Sequence, residues 1–219
     1  MTPTGPADPS VNKKTLNETE ICAQFITPAV VRAGWTLGTQ VRREVYLTPG
    51  PVIVRGKVAA RGKRKRADYL LFFQPNLLLA VIEAKDNKHS LGGGMQQALG
   101  YAETLDAPFV FSSNGDGFLF HDRTGQSAQV EQTLGLDELP SPDELWRRYR
   151  AWKGLTDATE KVAKFPYFED IGGKEPRYYQ RVAIQRTVEA VARGQRRILL
   201  AMATGTGKTY TAFQIIWRL

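Results

Sequence analysis

Three charged residues near the middle of the chain have the types and spacing of a phosphodiester-cleaving site. Glu83 and Lys85 follow the apolar run LLLAVI and are separated by Ala84, so on a strand they share a face. The runs ADYLLFF and LLLAVIEAK flank a short QPN turn, and this pattern predicts a β-hairpin. Folding the hairpin about Pro75 places Asp68 opposite residue 82 or 83, so one strand end gathers two carboxylates and an amine.

Two neighbouring carboxylates repel each other, which raises one pKa or requires a cation. A hard divalent ion such as Mg²⁺ prefers such oxygen ligands, and it can activate a water and polarise a phosphate oxygen. A lysine beside them can orient the water or stabilise developing negative charge. A Glu-x-Lys pair can also be an exposed ion pair, but its position directly after a buried-type strand favours a built site.

A second cluster of residues that could do chemistry lies near the end of the chain. The stretch ATGTGKT has the Gly-Lys-Thr that places backbone N–H groups, an ammonium and a hydroxyl around phosphates and Mg²⁺. The strict G-x-x-x-x-G-K-[ST] pattern fails, because Met202 occupies its first glycine position. The run RRILLAMA predicts a strand before this loop, and a helix follows it. The predicted nucleotide-binding residues are Thr204, Gly205, Thr206, Gly207, Lys208 and Thr209.

Only ten residues follow Thr209, and none of them supplies an acidic Mg²⁺ ligand or a second ATPase lobe. Efficient ATP hydrolysis needs those parts. We therefore expect an amino-terminal fragment whose ATP site does not turn over by itself.

The other patterns predict elements that would position both clusters. Alternating or helically spaced apolar residues, with Gly and Pro at the breaks, define them. In chain order they are a helix over 16–35 capped by Asn17 and kinked or split at Pro28, a strand over 39–47, a basic mobile loop over 55–66, a helix from Met95 to Leu105, strands PFVFSSN and GFLFHDR around an NGDG turn, a helix within 137–152 that starts near Ser141 or Asp143, and a helix over 177–195.

Composition narrows the class of protein. The chain is 42% hydrophobic and carries a net charge of +8, which favours a folded domain with a polyanionic partner. A single cysteine, Cys22, excludes an intramolecular disulfide framework. No apolar run is long enough for a membrane span, and the first residues do not form a secretory signal.

The first cluster resembles the D…ExK core of the PD-(D/E)xK nuclease superfamily, with Ala67 where the name of that superfamily expects proline. Gln97 and Tyr101 match the Q-x-x-x-Y pattern of its RecB-like branch, and i and i+4 share a helix face. The resemblance implies catalysis by both patterns and by a glutamate on the first helix, Glu20 or alternatively Glu18. The implied catalytic residues are Asp68, Glu83, Lys85, Gln97, Tyr101 and Glu20, and the implied metal ligands are Asp68, Glu83 and Ala84.

The second cluster resembles motif I of superfamily 2 helicases. Gln180 resembles the upstream glutamine that reads adenine in that superfamily, with Arg177 three residues before it. A nuclease followed by such a motor resembles the restriction (R) subunit of type I restriction–modification enzymes. That resemblance implies a type I site-specific deoxyribonuclease of the bacterial or archaeal cytoplasm. It also implies Mg²⁺, ATP in the intact subunit only, double-stranded DNA, and methyltransferase (M) and specificity (S) subunits as partners.

The implied fold is α/β, a restriction-endonuclease-like mixed β-sheet flanked by helices, followed by the first strand and helices of a RecA-like motor. The predicted organisation is a disordered lead-in (1–15), a nuclease domain (16–152), a linker (153–176) and a truncated motor (177–219). A basic loop before Asp68 predicts sequence-independent contacts with the DNA backbone. Its members are Arg61, Lys63, Arg64, Lys65 and Arg66.

Two alternatives remain open at this point. The first domain could be a nuclease fold that no longer cuts and instead docks the M and S subunits or grips DNA. The chain could also come from a type III restriction subunit, although the nuclease there commonly follows the motor.

Overall fold

The structure is a computed structural model that describes residues 12–47, 52–55, 58–61, 66–169, 172–173 and 175–219, with backbone alone for 52–55 and 58–61. A 3₁₀ turn covers Lys13–Thr15 and a π-helical turn covers Cys22–Ile26. The helices are α1 Glu18–Ile21, α2 Thr27–Arg32, α3 Met95–Leu105, α4 Pro142–Lys153, α5 Asp157–Lys164, α6 Tyr178–Ala192 and α7 Lys208–Arg218. The strands are β1 Val41–Tyr46, β2 Val52–Arg55, β3 Val58–Arg61, β4 Arg66–Gln74, β5 Leu77–Ala84, β6 Phe109–Ser113, β7 Gly117–Asp122 and β8 Glu131–Gly135.

Six strands form one mixed sheet in the order β1-β4-β5-β6-β7-β8, and β2 and β3 form a separate two-stranded sheet. The predicted hairpin is confirmed as β4 and β5, whose register pairs Tyr69 with Ile82 and Leu70 with Val81. Strands β5 and β6 are parallel, so the chain must cross from one end of the sheet to the other between them, and α3 makes that crossover. The carboxyl end of β5 therefore lies close to the start of α3.

Helices cover both faces of the sheet, which confirms a mixed α/β fold. Residues of α1, α2, α4 and α5 bury one face in a core that includes Tyr69, Leu79 and Phe111. Helix α3 buries the other face against Leu70 and Val81. Because both faces are covered, β4 and β5 consist of nearly continuous apolar residues, as the sequence indicates.

The first helical segment contains a π-turn where the sequence predicts a kink or a split at Pro28. The Thr27 N–H donates to the Cys22 carbonyl, five residues back, which widens the helix by one residue directly before the proline. Pro28 has no N–H to donate, so the wider turn precedes the point at which the α-helical pattern is broken. Asn17 caps α1 as predicted, and Gly34 ends the segment with a positive φ.

Several predicted boundaries differ from the structure. Residues 196–203 do not form the predicted strand, because no described strand lies beside them, and Leu199 is 92% exposed. Helix α5 lies inside the predicted linker, and its Ala163 is buried in the main core. Strand β3 lies within the predicted loop, and the edge strand β8 was not predicted. Residues 12–15 of the predicted lead-in are ordered, since Lys13 donates to Gly115 O at 2.8 Å; residues 1–11 lie outside the described residues.

The second part of the chain is attached to the sheet domain through α6. Glu189 is 1% exposed, and it accepts hydrogen bonds from Tyr149 Oη of α4 and, at 2.7 Å, from Gln185 Nε2. Lys153 Nζ lies 3.3 Å from the same carboxylate. Arg186 pairs with Asp106, the residue that ends α3. Within the part of the chain that the structure describes, no helix has the length and apolarity needed to cross a membrane.

Candidate nuclease site

The three residues of the first cluster meet at the end of the central hairpin. Asp68 Oδ2 accepts a hydrogen bond of 2.8 Å from the Ala84 N–H, so it is fixed across from the end of β5. Lys85 Nζ donates to Glu83 Oε1 at 2.7 Å. Glu83 is 2% exposed, and its second oxygen, Oε2, receives no hydrogen bond from an N–H or hydroxyl group of the described residues. The predicted gathering of Asp68, Glu83 and Lys85 is therefore what the structure shows.

The electrostatics of this cluster favour a bound cation. Burial, together with the negative charge of Asp68, raises the pKa of Glu83 to about 8. Burial lowers the pKa of Lys85, but its hydrogen bond to Glu83 and the surrounding carboxylates outweigh that effect and leave the pKa above its ordinary value. The lysine is therefore charged at neutral pH. Ionisation of Glu83 is unfavourable in this surrounding, and a further positive charge would make it favourable.

The structure places Glu18, the alternative, rather than Glu20 beside this cluster. Glu18 Oε2 lies 3.9 Å from Lys85 Nζ. Burial and the charge of Asp68 raise the pKa of Glu18. Glu20 is exposed, and its carboxylate accepts the N–H of Asn17 at 2.8 Å in the capping box of α1. Two residues along a helix point about 200° apart, so only one of the two glutamates can reach the site.

Helix α3 closes the other side of the cluster. Gln97 Nε2 donates to Tyr101 Oη at 2.7 Å, so the predicted i, i+4 pair forms. Burial raises the pKa of Tyr101, and the carboxylates of Glu83 and Asp68 add to this shift. The helix begins at Gly94, where a Cβ atom would lie 2.8 Å from Glu83 Cγ. The Gly94 N–H donates to Ser112 Oγ at 3.1 Å, a contact that the sequence did not indicate.

The donor set fits Mg²⁺ that keeps several water ligands. No group of three or more His, Cys, Asp or Glu side chains within the described ranges is arranged to hold a metal. Mg²⁺ in proteins commonly uses only one or two carboxylates and retains water. Asp68 and the unpartnered Glu83 Oε2 supply such a pair, and Ala84, the third predicted ligand, lies between Glu83 and Lys85.

Most of the predicted DNA-binding loop cannot be placed. Lys63, Arg64 and Lys65 lie outside the described residues, and only the backbone of Arg61 is described. Arg66 begins β4, where its guanidinium lies 3.5 Å from Glu44 Oε2. Its position two residues before Asp68 puts one basic residue of the loop close to the cluster.

The predicted nucleotide residues also lie together. Gln180 Nε2 donates to Thr206 O at 3.0 Å, and its Oε1 accepts the Arg177 N–H at 2.8 Å. Gly205 and Gly207 have positive φ values, and α7 begins at Lys208. Lys208 Nζ donates to Met202 O at 3.2 Å, so it closes the loop on itself. Of the remaining predicted members, Thr204 is exposed on this loop and Thr209 is exposed in the first turn of α7.

Comparisons with known proteins agree with this division of the chain. The family model described as "Type I restriction enzyme R protein N terminus" matches residues 52–129. The model described as "Type III restriction enzyme, res subunit" matches residues 173–219. Both matching models describe restriction-enzyme subunits, one over the sheet domain and the other over the segment with the phosphate loop.

Relatives identify the type of subunit. The chain is 55% identical to the Escherichia coli type I restriction enzyme EcoAI endonuclease subunit over 210 residues, covering 95% of this chain and 26% of that protein. It is 26% identical to the Escherichia coli K12 type I restriction enzyme EcoKI endonuclease subunit, and the match covers 94% of this chain and 22% of that protein. A solved fragment assigned to an HsdR subunit of a type I restriction enzyme from Vibrio vulnificus YJ016 matches with a TM-score of 0.82 and 40% identity, covering 93% of this chain and 38% of that chain.

The chain thus corresponds to the amino-terminal region of a type I restriction R subunit. It spans about a quarter of the length of the two curated relatives.

Proposed function

We propose that Asp68, Glu83 and Lys85 form the Mg²⁺-dependent site at which an ATP-driven type I restriction R subunit cleaves double-stranded DNA. The observation that carries the proposal is the buried Glu83 carboxylate, which has one oxygen bonded to Lys85 and the other without a partner, next to Asp68. A buried, unpartnered carboxylate oxygen is costly unless a ligand satisfies it.

Each residue has a role that follows from its contacts. Asp68, fixed by the Ala84 N–H, and Glu83 would hold the cation, which supplies water activation and polarisation of the phosphate. Lys85 stays protonated beside Glu83, so its ammonium can stabilise negative charge that develops on the phosphate oxygens. Glu18 would orient Lys85 from α1, and Gln97 and Tyr101 would line the site from α3.

The second part of the chain would be the start of a superfamily 2 motor with a RecA-like fold. Support comes from the match at residues 173–219 and from the contact between Gln180 and the phosphate loop. In the intact subunit, ATP would bind at Arg177, Gln180 and the loop from Thr204 to Thr209. The M and S subunits would select the DNA site. The basic residues at 61–66 would contact the DNA backbone.

The test uses the intact subunit assembled with its M and S partners. We expect Lys85→Ala to reduce plasmid cleavage in Mg²⁺ by about 10²–10³-fold, because it removes the cation aimed at the developing charge. ATP turnover should stay at the wild-type rate, since Lys85 contacts Glu83 and Glu18, which belong to the other site. Lys88→Ala, an exposed lysine three residues on, is the matched control.

If Lys85→Ala cleaves DNA like the control, the cluster is a structural ion pair. The domain would then be a module that docks partners or grips DNA, as in the alternative above.

A further inference from the structure

A small cleft opens beside Asp68 on the side away from α3. Helix α1 forms one wall with Glu18 and Thr19, and strands β1 and β4 form the other with Arg43 and Asp68. The cleft therefore leads from solvent to the carboxylate that we assign to the metal. The basic residue in its wall, Arg43, was not singled out from the sequence.

Arg43 differs from the arginines around it because its charge is not neutralised. Arg42 pairs with Glu175 at 3.1 Å, and Arg66 pairs with Glu44 at 3.5 Å. Arg43 forms no ion pair within the described part of the chain; its guanidinium carbon instead lies 5.4 Å from the centre of the Tyr69 ring. The Tyr69 hydroxyl is held by Thr27 Oγ1 at 2.9 Å, so the ring is a fixed support for the guanidinium.

The backbone of β1 is distorted next to Arg43. Arg43 pairs with Tyr69 and Val45 pairs with Ala67, so Glu44 lies at the level of Asp68. Glu44 has a φ of 52°, a left-handed conformation that is strained for a residue other than glycine. Arg43 and Glu44 of β1 and Asp68 and Tyr69 of β4 all line this cleft, so the left-handed residue lies directly beside it.

We propose that Arg43 binds a backbone phosphate of the DNA and so positions the neighbouring phosphodiester at Asp68 and Glu83. An unpaired guanidinium on a rigid aromatic support is suited to a phosphate, which it can bind through two parallel hydrogen bonds. Such a contact fixes the register of the duplex without reading its sequence. This inference rests on the proposed function, because it names a substrate contact of that site.

The test measures binding of the 219-residue chain to a short DNA duplex by fluorescence anisotropy at several salt concentrations. Arg43→Met keeps the apolar stem and removes the charge. We expect it to weaken binding about tenfold at low salt and to reduce the slope of log K against log[salt] by about 0.9, the value for one phosphate contact. Arg43→Lys should retain part of the affinity and the full slope. Arg32→Ala changes the net charge equally at an exposed arginine of α2 that pairs with Asp137, and serves as the control.

The inference is overturned by a wild-type chain that does not bind the duplex, or by an Arg43→Met chain with the affinity and slope of Arg32→Ala. A purely structural role for Arg43 would lower thermal stability without changing the salt slope, and that result also overturns it. The proposed function fails separately. If Lys85→Ala leaves cleavage intact while Arg43→Met weakens duplex binding, the DNA contact stands and the nuclease assignment does not.

Discussion

The candidate nuclease site is built on two paired strands, whereas the phosphate loop at 202–209 follows a segment that pairs with no described strand. Glu83 is 2% exposed at the end of β5, while Lys208 is exposed and bonds to the carbonyl of its own loop. At both sites a glycine precedes the first residue of a helix and packs closely against a side chain of the site. A Cβ atom added at Gly94 would contact Glu83, and one added at Gly207 would contact Gln180.

The comparison shows what each site needs from the rest of the molecule. Backbone N–H groups and a nearby lysine assemble a phosphate loop locally, so it forms even where its strand does not. In this chain the two buried carboxylates are held together by the pairing of β4 with β5, although their mutual repulsion opposes the contact. The nuclease site should therefore depend on the sheet core, and the loop should not.

The largest expected effect concerns that dependence. Leu79→Ala removes a side chain that is 0% exposed in the main core, and should lower the free energy of unfolding by about 2–5 kcal/mol. Leu199→Ala makes the same change before the phosphate loop, at a residue that is 92% exposed. It should change the free energy of unfolding by less than about 0.5 kcal/mol. Urea denaturation of both variants measures the difference. Similar losses would mean that residues 196–203 are packed in solution.

The contact between the two regions should show an intermediate effect. Glu189→Gln changes a buried carboxylate that accepts from Tyr149 and Gln185 and faces Lys153, so it leaves Lys153 without its counter-charge. We expect the substitution to lower the local free energy of unfolding by about 1–3 kcal/mol. Amide hydrogen exchange should then accelerate more in α6 and α7 than in β4 and β5. Arg186→Ala breaks a more exposed pair with Asp106 and should cost at most about 1 kcal/mol. Uniformly faster exchange across the sheet would contradict a local contact.

Close packing at the start of α3 predicts a further effect. Gly94→Ala would place a Cβ atom 2.8 Å from Glu83 Cγ. It should therefore lower the free energy of unfolding by about 1–3 kcal/mol and reduce DNA cleavage by the intact subunit. Gly100→Ala, in the same helix, meets nothing within 4 Å and should stabilise the chain by about 0.5–1 kcal/mol. Thermal unfolding of the two variants provides the measurement. Equal activity of Gly94→Ala and Gly100→Ala would show that Glu83 is free to move.

The smallest expected effect is the pH dependence of Mg²⁺ binding. The folded-state pKa of Glu83, about 8, lies above the ordinary value of 4.5, so the folded chain keeps a proton that the unfolded chain loses. Without metal, the contribution of Glu83 to stability should therefore decline as the pH rises from about 4.5 to 8.

Mg²⁺ competes with that proton, so its stabilising effect should grow over the same range, to about 1–2 kcal/mol at a tenfold excess over Kd. Thermal unfolding with and without Mg²⁺ tests this. Glu83→Gln should remove both trends, and Glu103→Gln, at an exposed residue of α3, should keep them. A Mg²⁺ effect that is independent of pH would exclude Glu83 as a ligand.

Local patterns were enough to predict the elements that carry the candidate nuclease site. The alternating and continuous apolar runs predicted the β4–β5 hairpin, and the NGDG turn predicted the β6–β7 pair. Helix α3 has the predicted limits, Met95 and Leu105. These features depend on residues close together in the chain, and the hairpin register alone brings Asp68 opposite the end of β5.

The tertiary structure decided what depends on distant partners. Which of Glu18 and Glu20 reaches the site follows from the orientation in which α1 packs on the sheet, and the capping box then occupies Glu20. Helix α5 is held by burial of Ala163, and residues 196–203 stay out of a sheet because no described strand pairs with them. Arg43 and Glu44 meet Asp68 only because β1 pairs with β4 across the intervening β2–β3 hairpin. The sequence by itself determined the β4–β5 hairpin, helix α3 and the residue types of both sites, since these are local properties; only long-range pairing determined which side chains share a cleft.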